Sequence, residues 1–423
     1  MFSLHLTPEQ LEFRDTVRDF VKSEVHAVAI HPDRLQPFEK PLLLDLLDDA
    51  SRMGLRTLAL SEAAGGAGAD TLTSCIVMEE LAAGDVDLAV VMATTSQLCA
   101  ALFDECMTAD QRNRFLPEFL DDRQARAHLA LAAHDYDTVR GWQYHREYDE
   151  ESGAEPVAVK QANGDWIIDG AFAFVPNAPI ATLFAVQVRT DPKKTGRNGV
   201  STLLVPRSTT GLTVGASPKA TGEAADDGAE LARWHHGTGA RVELRHCRVP
   251  AENLVGREGQ TPLCSEVFTA RAAVQLAAIN LGVGRAAYDA AVDYAKMRVQ
   301  GGRPIIQHQA IGTILADCAT KLELARNIIW KAAWTADHPE AVGNRSVSDL
   351  PLHVMARTYT AEAMHDVTLG AAECFGAMGV MRDMPLQKYV HDAMVLLHSE
   401  DHDSATKLGI AEAIAGFERP AAA

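Results

Sequence analysis

The sequence predicts an α+β multidomain protein: an N-terminal helical domain, a middle antiparallel β domain and a C-terminal antiparallel bundle of the four-helix type. Two observations carry this. The chain has 423 residues, more than one hydrophobic core usually organises, so several domains are expected. Its apolar period also changes twice, from helical spacing to short β-rich runs near residue 127, and back to long helices after Gly259. The expected domains are 1–126, 127–258 and 259–423.

The first domain opens on a helix start. Thr7-Pro8-Glu9-Gln10 is a T-x-x-Q capping box with proline at the first helical position, and Leu11, Phe13, Val17 and Phe20 follow at roughly helical spacing. A second helix is expected from Pro41 to Met53, closed by Gly54, because a glycine just past a helix accepts the left-handed conformation that satisfies its last carbonyls. EAAGGAGAD (62–70) reads as a flexible connector. It lacks G-x-G-x-x-G order and no strand feeds it, so a dinucleotide fingerprint is not expected there. Helices follow through CIVMEELAAG and ADQRNRFLPEFL.

In the middle domain DWIIDG, ATLFAVQV, GVSTLLVP and ARVELRHCRVP are β-rich runs separated by Gly, Asn, Asp and Pro turns. Stretches 136–160 and 216–238 are polar and poorly patterned, as surface excursions are. In the last domain an alanine-rich helix runs from VFTARAAV to YAKMR. Helical segments around 308–336, 350–374 and 386–397 follow, then one from about 403. Long helices joined by short loops argue for an antiparallel bundle.

Composition narrows the function classes. The chain is 47% hydrophobic and 23% charged, ordinary for a globular protein. No apolar run is read as long enough to span a bilayer, and MFSLHLTPEQ has no basic-then-apolar leader pattern. The seven cysteines are scattered and include no CxxC pair, which fits reduced thiols in a cytoplasmic protein. A formal charge of −18 argues against nucleic acid as a partner.

The stretch LLHSEDHDS (396–404) concentrates titratable groups, with Glu400 between His398 and His402. Read locally it is a general base, a metal site or a solvated turn. H-x-E-x-H is not the H-E-x-x-H helix pattern, so no metal is expected.

The element order and five segments resemble the acyl-CoA dehydrogenase family of flavoproteins over nearly the whole chain. The segments are LTPEQLEFRDTVRDFV, GLRTLALSEAAGGAGAD with MEELA, VPAENLVG (249–256), YAKMRVQGGRPIIQHQAI (294–311) and CFGAMGVMRDMPLQKYVHDA (374–393). The fourth is similar to the family's Arg-x-x-Phe-Gly-x-Pro-Ile-x-x-x-Gln segment. The resemblance implies FAD, held with help from a neighbouring subunit. Arg298 and Gln309 match the residues that reach across to it, and Gly376 and Gly379 match the glycine turn at the cofactor. Phe174 and Asn177 match the segment along the flavin ring. Glu400 falls on the family's α-proton base, counted from His391-Asp392-Ala393, and Arg271 matches a substrate-contact position. The alternative base position, just before that arginine, is Ala270. The sequence also departs from the family. Ala132 stands for a threonine, Pro176 for a serine or threonine, Gly301 for a phenylalanine and Phe268 for an aspartate.

The implied function is FAD-dependent α,β-dehydrogenation of an acyl-CoA thioester, with an electron-transfer flavoprotein or similar acceptor. The implied assembly is a dimer or homotetramer. Two further readings stay open. One is a degenerate partner subunit of a hetero-oligomer with a paralogue. The other is a same-fold flavoenzyme of different chemistry, such as an oxygenase or reductase.

Overall fold

The computed structural model describes residues 5–30, 42–121, 127–133, 156–194, 198–215, 235–340, 350–381, 383–398 and 404–416. In chain order the helices are α1 (Pro8–Phe20), α2 (His26–Ala29), α3 (Leu44–Arg52), α4 (Thr71–Gly84), α5 (Val86–Ala100), α6 (Ala109–Leu120), α7 (Glu266–Met297), α8 (Gln309–Asp337), α9 (Leu352–Phe375), α10 (Leu386–His398) and α11 (Ser404–Ala415). The strands are β1 (His128–Ala132), β2 (Val157–Lys160), β3 (Trp166–Pro176), β4 (Ala181–Arg189), β5 (Val200–Pro206), β6 (Leu212–Val214), β7 (Gly239–Val249), β8 (Leu254–Val255), β9 (Val299–Gln300) and β10 (Arg303–Pro304). The chain divides into two compact units, each built from separate stretches. One comprises Met1–Lys40, Asp70–Val90 and Ala270–Ile410, the other Pro41–Ala69, Val91–Thr269 and Ala411–Ala423.

In the first unit α1 begins on the expected capping box. Thr7 Oγ1 accepts the Gln10 backbone N–H at 3.1 Å and Gln10 Oε1 accepts the Thr7 N–H at 3.0 Å. The bundle core joins Leu72 and Ile76 of α4, Val274 and Leu281 of α7, Leu322 and Ile329 of α8, and Met364 and Val367 of α9. Along α8 the buried positions 315, 318, 322, 325, 329 and 332 keep one stripe against the neighbouring helices. α4 is buried on nearly every side, its two glutamates included. They are answered by cations. Glu79 meets Arg285 at 3.0 Å and Arg326 at 2.8 Å, while Glu80 meets Arg18 at 2.6 Å and Arg285 at 2.8 Å. Buried charges persist only when paired in this way.

In the second unit the strands form one sheet in the order β6-β7-β3-β2-β4-β5-β8, with β1 paired to β4 off this path. The sheet is antiparallel except where β1, and one residue pair of β2, run parallel to β4. β4 reads as continuously apolar because both of its faces are covered. Phe184, Val186 and Val188 pack with Trp166, Ile168 and Phe172, whereas Leu183 and Ala185 pack with Leu98, Phe103 and Phe119. The alternation places Ala130 and Ala132 of β1 on the first side and Leu129 on the second.

Two expectations are corrected. The 62–70 glycine stretch is a packed turn rather than a loose connector. Gly68 N–H donates to Leu60 O at 2.7 Å and Ala69 N–H to Leu58 O at 2.9 Å, and a Cβ on Gly66 would lie 2.2 Å from Leu60 O. Two helices, Val86–Cys106 and Val267–Met297, are long and apolar enough to cross a membrane. Of their most apolar windows, 83% and 67% are buried inside the protein, as in core helices.

Candidate active site

In the second unit β3 ends on Phe174-Val175-Pro176, and Asn177 turns the chain. The half-buried Phe174 ring stacks on the His235 imidazole, with centroids 4.4 Å apart and planes inclined by 25°. Its tip points at Gly239, the first residue of β7, where a Cβ would lie 2.2 Å from Cζ. Glycine at 239 is therefore what lets the ring lie there. Asn177 takes a φ of 61°, a left-handed conformation that asparagine tolerates better than most residues. It is fully buried and its side-chain amide is used internally, donating to Thr95 Oγ1 at 3.1 Å. The same threonine oxygen lies 3.0 Å from His128 Nδ1. The turn is thus tied to α5 and β1 through Thr95. Ala132, at the end of β1, is fully buried in the sheet core. Phe268 accepts a 2.7 Å hydrogen bond on its carbonyl from Gln97 Nε2.

In the first unit Arg271 Nε lies 3.2 Å from Asp337 Oδ1. Asp337 also accepts the Thr71 N–H at 2.7 Å and the Thr71 hydroxyl at 2.8 Å. Arg271 is thereby held where α4, α7 and α8 meet. Arg298 leaves α7 at the edge of the β9–β10 hairpin, whose turn uses Gly301 and Gly302 at φ 60° and 82°. Arg298 is exposed, with no ion pair among the described residues, and Gln309 is exposed at the first position of α8. Gly376 ends α9 at φ 56°, ψ −134°, a conformation open essentially to glycine alone. At Gly379 a Cβ would lie 2.8 Å from Ala372 O, so a side chain there would force the turn apart.

α10 carries a buried Lys388–Asp392 ion pair, with His391 Nδ1 3.6 Å from Asp392. Burial pushes the Tyr389 hydroxyl up, and Asp392 and Asp289 add to it. The helix ends at exposed His398. Glu400, with Asp401, His402 and Asp403, lies outside the described residues.

These residues fit the FAD that the resemblance implies. The exposed Arg298 guanidinium has donors available for a pyrophosphate, and the Gly376–Gly379 turn leaves no Cβ at Gly376 to keep a ligand away. The resemblance puts Phe174, Pro176 and Ala132 at the flavin-ring end. Pro176 has no N–H and Ala132 no hydroxyl, so hydrogen bonds to a flavin there must come from other groups. Thr95, His128, His235, Gly239 and Asp337 were not singled out by sequence reading. Each matters through contacts between residues distant in sequence, which leave no local signal.

Comparison with known proteins bears on the family and the fold. Models of the acyl-CoA dehydrogenase N-terminal, middle and C-terminal domains match residues 7–123, 150–232 and 266–400. An acyl-CoA dehydrogenase of Bacillus subtilis is 26% identical over 413 residues, covering 98% of this chain and all of the relative. The mitochondrial isobutyryl-CoA dehydrogenase of Dictyostelium discoideum is 27% identical, covering 96% of this chain and 89% of the relative. Butyryl-CoA dehydrogenase from Megasphaera elsdenii has the same fold, with a TM-score of 0.80 at 23% identity, over 98% of this chain and 100% of that one.

Proposed function

The chain belongs to the acyl-CoA dehydrogenase family of FAD-dependent oxidoreductases, and we propose that it oxidises an acyl-CoA thioester at the α,β carbons with Glu400 as the base. FAD, when bound, supplies the acceptor for the β-hydrogen and its electron pair. The Glu400 carboxylate takes the α-proton, so the Cα–H electrons become the new Cα=Cβ bond as the β-hydride leaves. The Glu400 backbone N–H donates to the thioester carbonyl and so tolerates the enolate-like charge that develops on its oxygen. Arg298 and Gln309 hold FAD, with Arg298 on the pyrophosphate, the Gly376–Gly379 turn admits it, and Phe174 forms a wall at its ring. Arg271, steadied by Asp337, contacts the substrate.

The observation that carries this reading is the pair Arg298 and Gln309. Both stand exposed at the end of the bundle, with the glycine turn at Gly376 intact. Exposed Met297 and Val299, at 75% and 59%, flank Arg298 and support a subunit interface in a dimer or homotetramer. The proposed electron acceptor is an electron-transfer flavoprotein or a similar protein.

Glu400→Gln tests the reading. It keeps shape and the backbone donor but removes basicity, so flavin reduction by an acyl-CoA drawn from a thioester panel should slow ~10²–10⁴-fold, with flavin content unchanged. Reduction at the wild-type rate would remove Glu400 from the mechanism. A second reading, a partner subunit with a weakened ring-end site, is favoured by Pro176 and the buried Ala132. It predicts protein that purifies colourless alone and takes up FAD only beside a paralogous chain.

A further inference from the structure

A pocket of about 360 Å³ opens on the second unit, and none of its lining residues is assigned above to FAD or thioester. Its floor is apolar, made by Phe119 of α6, Leu129 of β1 and Leu183 of β4, all buried. Its mouth carries Arg207 and Ser208 just past β5, and Glu118 of α6. A concave apolar floor of this size with a few polar groups at one side is how small-molecule sites are usually built.

Arg207 is the unusual member. Its Nη1 donates to the carbonyls of Ala178 at 2.7 Å and Ala181 at 3.1 Å. These bonds fix the guanidinium plane and leave Nε and Nη2 without an acceptor among the described residues. Desolvation lowers its pKa and no carboxylate offsets the shift, yet an arginine so placed stays protonated at neutral pH. Arg18, Arg285 and Arg326 each meet a carboxylate within 3.0 Å. Among the described residues Arg207 meets backbone carbonyls only, which hold it in place without neutralising it.

We propose that this pocket binds a small amphipathic monocarboxylate. Nε and Nη2 of Arg207 take the carboxylate as a fork, and the apolar body rests on Phe119, Leu129 and Leu183. The fork geometry suits a planar carboxylate. Glu118 at the same mouth repels further negative charge, so polyphosphates and dicarboxylates are disfavoured. The site does not depend on the proposed dehydrogenase reaction.

The test is isothermal titration calorimetry of the full-length protein with 3-phenylpropionate, compared with 3-phenylpropionamide and inorganic phosphate. The carboxylate should bind saturably at one site per chain, and both comparators at least ~10-fold more weakly. Arg207→Gln should weaken the carboxylate at least ~10-fold. Glu118→Gln should tighten it, because it removes a like charge. Thr182→Trp, at an exposed position on the pocket wall, should block binding while leaving Arg207 in place. It keeps the test decisive if the Arg207 variant fails to fold. Absence of saturable binding, equal affinity for the amide, or binding that survives Thr182→Trp would overturn the proposal.

Discussion

Alanine at Gly282 probes a close helix crossing in the first unit, between α4 and α7. A Cβ there would lie 2.3 Å from the Glu79 carbonyl oxygen, 2.9 Å from Ala82 Cβ and 3.1 Å from Ala83 N. Ordinary contact begins near 3.4 Å, so α4 and α7 must separate by about 1.1 Å (3.4 − 2.3). None of the three atoms is the end of a flexible side chain, so no rotamer change relieves the clash. Alanine itself favours a helix over glycine by ~1 kcal/mol. Overpacking a rigid contact costs ~1–3 kcal/mol. Opening the crossing also strains the Glu79 ion pairs with Arg285 and Arg326, whose loss would cost ~3–5 kcal/mol if complete. A net destabilisation of ~2–4 kcal/mol is expected. Gly284→Ala is the internal control. Its Cβ would meet Met364 Sδ at 2.3 Å, and a thioether can swing aside, so the net change should stay within ~1 kcal/mol. Urea denaturation followed by circular dichroism measures both, through the midpoint at constant slope. A Gly282→Ala protein as stable as wild type, or two variants equally destabilised, refutes the backbone-contact argument.

Asn177→Ala should lower stability by ~2–3 kcal/mol, since it loses the amide to Thr95 and places alanine at φ 61°. Asn177→Gly should recover only the backbone part, and thermal melts separate the two. Desolvation first, and Lys388 second, lower the pKa of His26. Below the ordinary histidine value of about 6.5 the unfolded chain therefore binds a proton that the folded one resists. Stability should be full above that value and fall as pH drops toward the folded pKa. His26→Gln should flatten this part of the profile, and an unchanged slope between wild type and variant would dismiss His26 as its source. Arg298→Ala should raise the FAD dissociation constant ~10–100-fold with no change in melting of the cofactor-free protein. An unchanged constant would free Arg298 from the pyrophosphate role.

The sequence by itself determined the kind and order of the elements. Helix starts, strand runs and turns are written within a few residues. The Thr7–Gln10 box opens α1 where expected, Gly54 follows α3 at φ 87°, and the four β-rich runs became β3, β4, β5 and β7. These signals are legible because helical hydrogen bonds and side-chain alternation link residues two to four apart. The family motifs were legible for the same reason, being short and contiguous.

Tertiary structure alone decided which distant residues meet. Residues 70–90 group with 1–40 and 270–410 rather than with the neighbouring stretch 41–69, so α4 brings Glu79 and Glu80 to the arginines of α1, α7 and α8. Asn177 spends its amide on Thr95, 82 positions earlier. His235 and Gly239 hold Phe174, and two backbone carbonyls hold Arg207 without neutralising it. None of this has a local signature. A buried charge or amide chooses its partner by what else is excluded from water around it, and that depends on how the whole chain is packed.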